Sequence, residues 1–154
     1  MSTVPTCVFR CIENRIDVCV EEYLESRGWK NHASHRIPGG VIDLAFPEGP
    51  AHREVYLDHI AKILSIKRPE RIVLVAHAEC GGYQGRVCFN SHTEEEAMLI
   101  AHLNLGKKII AHRYPHVQVL KVLIHRHEEG GWSAKEIIFS AASKSQSALS
   151  QAQA

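Results

Sequence analysis

Short apolar segments rich in β-branched residues alternate along the chain with longer segments whose apolar residues recur at helical spacing. Continuous short apolar runs are typical of strands buried on both faces, and a 3.6-residue period is typical of helices. Strands are predicted at residues 6–12, 33–37, 71–77, 116–124 and 135–139, and helices at 16–29, 49–67 and 93–112. This alternation predicts an α/β fold with a mostly parallel sheet and helices on both faces.

The last two predicted strands differ from the others because only a short turn separates them. Residues 128–132 contain two glycines, so the fifth strand is predicted to be antiparallel, at the edge of the sheet. The other four strands are expected in the order 2-1-3-4. Ligands bind such sheets beyond the carboxyl ends of the strands, where the winding direction reverses. In this order, Cys11 and His77 lie at that point.

The composition is that of an ordinary globular protein, with 45% hydrophobic and 23% charged residues in 154 positions. We expect a single domain spanning residues 1–154, with a flexible Ser-, Ala- and Gln-rich tail from about 141. A formal net charge of +1 gives no indication of a nucleic-acid surface. No apolar run reaches the roughly 20 residues of a membrane span, and the start lacks a secretory signal pattern.

Cysteine usage points to thiols rather than disulfides. The chain has five cysteines, an odd number, and the cytosol is the expected compartment. Reduced thiols are free to bind a metal ion.

Three metal-ligand residues fall where the sheet is expected to bind ligands. His77 and Cys80 are three positions apart, where a strand passes into a glycine-rich loop, and Cys11 closes the first strand. Together they predict one Zn²⁺ per chain on a Cys₂His set. Three protein ligands leave the fourth tetrahedral position open, which is the pattern of a catalytic zinc site.

Two further residues follow Cys11 at alternate positions. In an extended chain, Glu13 and Arg15 share a side with Cys11. Glu13 is placed to accept a hydrogen bond from a water at the open zinc position, and Arg15 to keep Glu13 ionised and oriented.

These motifs resemble those of the β-class carbonic anhydrases. Cys11, Glu13 and Arg15 are similar to the family's C-x-D-x-R motif, and the segment from His77 through Cys80 to Gly81 matches its H-x-x-C-G motif. Residues 35–40, His-Arg-Ile-Pro-Gly-Gly, look like its R-N-A-G-G segment. The resemblance extends from about residue 8 to the final strand.

The resemblance implies a zinc enzyme that hydrates carbon dioxide to bicarbonate. Cys11, His77 and Cys80 would be the ligands, and Glu13 and Arg15 would stand where the family has an Asp–Arg dyad. It also implies a homodimer or a higher homo-oligomer with active sites near the dimer interface. The chain departs from the family in having Glu13 for Asp and in having only ten residues before Cys11. Related proteins of this fold hydrolyse carbonyl sulfide or carbon disulfide.

Four residues are candidates for a small-molecule substrate pocket. Arg36 is either a surface charge or a group that reaches the site. Gly39 and Gly40 suit a tight turn and also a close approach to substrate, and Gly81 lets the chain turn beside the ion.

Other polar and thiol side chains have simpler interpretations. Cys7 and Cys19 are expected in the core, Cys88 beside the pocket or elsewhere in its loop, and His125 and His127 as solvated strand-end residues with a proton-shuttle role as the alternative.

Further residues are expected at the surface. Tyr83 is expected in an exposed loop, His59 and His102 on helix surfaces, and the glutamates at 94–96 in a solvated first helix turn.

Three functions are consistent with this pattern. The first is zinc-dependent attack on a small linear electrophile such as CO₂, COS or CS₂. The second is a non-catalytic zinc-binding or regulatory protein in which Glu13 fills the fourth position. The third is a thiol redox or sulfur-transfer protein that uses Cys80 as its nucleophile.

Overall fold

Five strands form one sheet in the order β2-β1-β3-β4-β5 in the computed structural model, which describes residues 3–138. The strands are β1 (Thr6–Arg10), β2 (His32–Arg36), β3 (Arg71–His77), β4 (Gln118–Arg126) and β5 (Trp132–Glu136). The first four pair in parallel, and β5 pairs antiparallel to β4. The predicted order and the antiparallel edge strand are therefore confirmed.

Helices cover both faces of this sheet. They are α1 (Asp17–Ser26), α2 (Ile42–Ala45), α3 (Pro50–Lys67) and α4 (His92–Arg113). None of the helices in the described part of the chain has the length and apolar content needed to cross a bilayer.

Each face of the sheet packs against its helices through an apolar cluster, because successive side chains of a strand point to opposite faces of the sheet. On β1, Phe9 points into the cluster beneath α3 and α4, whereas Val8 points into the cluster beneath α1. The first cluster includes Ile60 of α3 and Leu103 of α4, both fully buried. Burial of both sheet faces explains the nearly continuous apolar character of β1 and β3.

β1 ends two residues earlier than predicted. The Ile37 N–H donates to the Arg10 carbonyl at 2.9 Å, the last such bond along this edge. The Glu13 side chain then accepts the Arg15 N–H at 3.0 Å and caps a 3-10 turn, Asn14–Ile16. Cys11 therefore stands just past the strand, and the extended conformation expected for residues 11–15 is wrong.

Other boundaries also shift. α4 begins at His92 because Ser91 accepts the Glu94 N–H at 3.1 Å, so Ser91 caps the helix. β5 begins at Trp132, which was expected in the turn. The end of the predicted strand, at 139, and the predicted tail from 141 lie outside the described residues.

Candidate metal centre

Cys11, His77 and Cys80 come together at the carboxyl ends of β1 and β3. One ligand atom from each lies within 4.8 Å of the other two, and all three residues are buried. Within residues 3–138 no other group of three or more His, Cys, Asp or Glu side chains meets this criterion. The sequence prediction that these three residues converge is confirmed.

The His77 ring is held in one tautomer. Its Nδ1 donates to the Ala78 carbonyl at 2.8 Å, which leaves the lone pair on Nε2. Nε2 is buried and has no hydrogen-bond partner among the described residues. A buried nitrogen lone pair without a partner is what a metal ligand presents before the ion binds.

The two sulfurs have the separation that one tetrahedral zinc requires. Cys11 Sγ and Cys80 Sγ are 3.8 Å apart, and two sulfurs bonded to one zinc at about 2.3 Å are about 3.8 Å apart. A hydrogen bond from Cys80 lowers the pKa of Cys11, and backbone hydrogen bonds from Glu13 and Gly39 add to this. The same contact raises the pKa of Cys80, as does its burial. The donor set, its geometry and the unpartnered imidazole nitrogen fit Zn²⁺.

Two glycine-containing loops close over this cluster with their backbones in contact. A Cβ on Gly82 would lie 2.4 Å from the Gly39 Cα, and a Cβ on Gly39 would lie 2.5 Å from the Ile42 side chain. Gly39 also has a φ of +76°, which favours glycine. Gly40, with φ +60°, fits against the backbone of β3 and Cys11 rather than the cavity. Gly81 has open space around its Cα.

A cavity of about 340 Å³ opens beside Cys11. It is lined by Cys11, Ile12, Glu13, Pro38, Gly39, Gly81 and Gly82. Of the four predicted pocket residues, Gly39 and Gly81 line this cavity. Arg36 does not; it pairs with Asp17 at 3.1 Å. Gly82 also lines the cavity but was not predicted from the sequence. A side chain there would collide with the backbone of Gly39, in a loop that is distant along the chain.

Glu13 and Arg15 form a bonded pair at the cavity wall. Arg15 Nη2 donates to Glu13 Oε2 at 2.9 Å, and the Arg15 N–H donates to Oε1. These bonds lower the pKa of Glu13 to about 2 and raise the pKa of Arg15. Arg15 also lies 3.7 Å from Glu79, in the turn between His77 and Cys80.

Trp132 adds a contact that the sequence analysis did not predict. Its ring centroid lies 6.4 Å from that of His77, and the Arg15 guanidinium carbon lies 5.5 Å from it. An aromatic residue directly after the glycine pair of a hairpin was the available signal.

The remaining cysteines lie away from the cluster. Cys7 and Cys19 are core residues, as predicted, and burial raises the pKa of Cys7 to about 11. The exposed Cys88 donates to the Tyr83 carbonyl at 2.7 Å and does not line the cavity. His125 contacts Glu96 and its ring lies against His127.

Several residues expected at the surface are buried or half-buried instead. The Tyr83 hydroxyl and His102 Nδ1 share a hydrogen bond of 2.7 Å, and each of the two residues is 8% exposed. His59 is half-buried against His35 at 3.1 Å. Glu95 is 1% exposed. The local sequence predicts polar surface at these positions because the residues that bury them come from other elements.

No protein-family model and no curated protein matches the chain by sequence. Solved structures do match it. The β-carbonic anhydrase CafA of the fungal pathogen Aspergillus fumigatus is 13% identical, with a TM-score of 0.50 over 89% of this chain and 76% of CafA. A tetrameric β-carbonic anhydrase from the ascomycete Sordaria macrospora is 14% identical, with a TM-score of 0.54 over 90% of this chain and 83% of that one. The chain has a β-carbonic-anhydrase-like fold.

The carbonic-anhydrase-like fold agrees with the resemblance found in the motifs. At 13–14% identity the likeness concerns the fold, and the chemistry of the site follows from this chain's own residues. Those residues are a Cys-His-Cys cluster able to bind a metal ion and a carboxylate–guanidinium pair beside it.

Proposed function

We propose that this protein is a zinc-dependent enzyme that hydrates carbon dioxide to bicarbonate, with COS or CS₂ as alternative linear substrates. The observation that carries the proposal is the convergence of Cys11, His77 and Cys80 beside a cavity, with three donors for an ion that takes four. When bound, Zn²⁺ supplies a Lewis acid that makes water a nucleophile near neutral pH.

Two thiolates donate strongly to the ion and reduce its effective charge, so neighbouring groups have to assist. Glu13 lies in the cavity wall, and its low pKa keeps the carboxylate ionised across the physiological range. It is therefore an acceptor that fixes the direction of a water O–H. Arg15 holds both Glu13 oxygens and so sets the orientation of that acceptor.

The cavity suits a small linear electrophile. Backbone atoms of Gly39, Gly81 and Gly82 form much of its wall, together with the apolar Ile12 and Pro38. Glu13 is the charged residue among those that line it. An uncharged triatomic molecule needs no charged recognition group, which agrees with the position of Arg36 outside the cavity lining.

Assays of CO₂ hydration by stopped flow and of COS and CS₂ hydrolysis test this proposal, with zinc content measured on the same samples. Cys80→Ser is expected to lose both zinc and turnover. Cys88→Ser, which changes an exposed cysteine outside the cavity, is the matched control and is expected to retain both. Zinc-loaded wild-type protein without turnover of CO₂, COS or CS₂ would eliminate the enzymatic function.

The alternative is a non-catalytic zinc protein in which Glu13 closes the site. It has less support because Arg15 engages both Glu13 oxygens and Glu13 is not part of the ligand cluster in the described chain. The third possibility, Cys80 as a redox nucleophile, has less support because its hydrogen bond with Cys11 and its burial raise the pKa of Cys80.

We also propose that the chain forms a homo-oligomer, since the Sordaria macrospora enzymes of this fold are described as tetrameric. Light scattering of the purified protein tests this, and a monomer at micromolar concentration would contradict it.

A further inference from the structure

We propose that Glu95 of α4 is a positioning residue for the metal centre. It holds the turn between His77 and Cys80 in the conformation that directs both ligand atoms to one point. The inference rests on the zinc site of the proposed function, but it concerns a residue that the ligand motifs do not include.

The turn has a backbone that needs support. Glu79 has a φ of +57°, in the left-handed region that residues other than glycine rarely adopt. Among the described residues, Arg68 and Gln84 are the other non-glycine residues with positive φ, and each directly follows a helical turn. Glu79 instead lies between two metal ligands, where it reverses the chain within three residues.

Backbone groups of Ala78 and Glu79 in this turn form hydrogen bonds with the residues around them. The Ala78 N–H donates to the Ile124 carbonyl of β4 at 2.9 Å, and the Ala78 carbonyl accepts from His77 Nδ1. The Glu79 N–H donates to Glu95 Oε1 at 2.6 Å. Glu95 therefore supplies the bond that fixes the turn from the side of α4.

The burial of Glu95 is hard to explain by packing alone. Its side chain is 1% exposed, and its second oxygen, Oε2, has no hydrogen-bond partner within residues 3–138. An apolar side chain would fill this space without the energetic cost of burying a polar group. Among the residues that the structure describes, the hydrogen bond of the Glu95 side chain is the one to the Glu79 N–H.

Glu79 also connects the turn to the catalytic pair. Its carboxylate lies 3.7 Å from Arg15, which holds Glu13 at 2.9 Å. A shift of the Glu79 backbone therefore displaces His77, Cys80 and the partner of Arg15 together. Through this one hydrogen bond, Glu95 influences both the ligands and the carboxylate that faces the cavity.

The test compares Glu95→Leu, which removes the acceptor, with Glu95→Gln, whose carbonyl can accept the same bond. Amide hydrogen exchange of Glu79 is measured in metal-free protein, and zinc dissociation is measured by transfer to a chelator. Glu95→Leu is expected to speed Glu79 exchange at least tenfold and zinc release about 10–100-fold, the usual range for groups that orient ligands. Glu95→Gln is expected to restore both to within about threefold of wild type.

Glu94→Leu is the matched control, because Glu94 lies on the same helix turn but bonds to Asn90 and not to the ligand-bearing turn. It is expected to leave both rates unchanged. If Glu95→Leu does not fold, Glu95→Asp shortens the acceptor by one methylene and is expected to speed both processes.

Unchanged zinc release in Glu95→Leu, or equal acceleration in Glu94→Leu, would overturn the proposal. If wild-type protein binds no zinc, the proposed function fails. In that case Glu79 exchange still decides the role of Glu95: protection in Glu95→Gln and its loss in Glu95→Leu support the proposal, and equal exchange in the two variants overturns it.

Discussion

Arg15 is the residue on which the orientation of Glu13 depends. It donates to both Glu13 oxygens, lies 3.7 Å from Glu79, and places its guanidinium 5.5 Å from the Trp132 ring centroid. Arg15→Leu is expected to retain zinc and to lower kcat/KM for CO₂ hydration by about 10²-fold, because a misplacement of about 1 Å can cost that much. Stopped-flow kinetics with zinc analysis checks this.

Arg27→Leu is the matched control for Arg15→Leu. Arg27 also pairs with a glutamate at 2.9 Å, Glu136, and also lies over a tryptophan, Trp29, at 4.9 Å. It is expected to leave kcat/KM unchanged. Equal losses in the two variants, or loss of zinc from Arg15→Leu, would contradict the role given to Arg15.

The convergence of Cys11, His77 and Cys80 could be predicted at this scale, but the residues that surround them could not. Cys11, His77 and Cys80 carry chemistry that few residue types supply, and they follow strands whose apolar runs are unambiguous. Glu95 and Trp132 are common residue types, and their roles depend on which element packs against them. Glu95 in particular lies in an acidic first helix turn, a pattern that usually indicates a solvated surface.

At the scale of elements, adjacent glycines of the loop after Cys80 have different roles. A Cβ at Gly82 would meet the Gly39 backbone at 2.4 Å, whereas a Cβ at Gly81 would meet nothing within 4 Å. Gly82→Ala is expected to lower the free energy of unfolding of metal-free protein by about 1–3 kcal/mol, because backbone cannot yield as a flexible side chain does. Urea denaturation measures this.

Gly81→Ala provides the comparison for Gly82→Ala, since Gly81 has no positive φ and open space around it. Its free energy of unfolding is expected within about 0.5 kcal/mol of wild type. A loss in Gly81→Ala as large as that in Gly82→Ala would show that the contact between the two loops is not the cause.

Element boundaries were predictable where the pattern was strong. β3 spans the predicted residues 71–77 because its apolar run is continuous and bounded by charged and glycine-rich segments. β1 is shorter than predicted because Glu13, an uncommon capping residue, turns the chain into a 3-10 helix. The four-residue helix α2, Ile42–Ala45, was not predicted because one helical turn is too short to show a period.

The stability of the whole molecule is expected to depend on the buried His102 and the half-buried His35. Burial lowers the pKa of His102, and burial together with the charge of His59 lowers the pKa of His35, both from 6.5. The unfolded chain therefore binds more protons than the folded one just below pH 6.5. The contribution of these two histidines to the free energy of unfolding is expected to be constant above about pH 7 and to fall as the pH is lowered through 6.5.

Urea denaturation in EDTA, from pH 7.5 to 5.5, measures this dependence without a contribution from zinc. His102→Gln and His35→Gln are each expected to make the decline shallower, whereas His112→Gln, at an exposed position of α4, is expected to leave it unchanged. An equally steep decline in the His102 and His35 variants would contradict this assignment.

The proposed function depends on one ion held by three protein ligands at the carboxyl edge of the sheet. X-ray absorption at the zinc edge of purified wild-type protein measures this directly. The predicted result is one zinc per chain with two sulfur ligands near 2.3 Å, one imidazole and one light-atom ligand from solvent. A spectrum without sulfur ligands, or protein with no stoichiometric zinc, would contradict it.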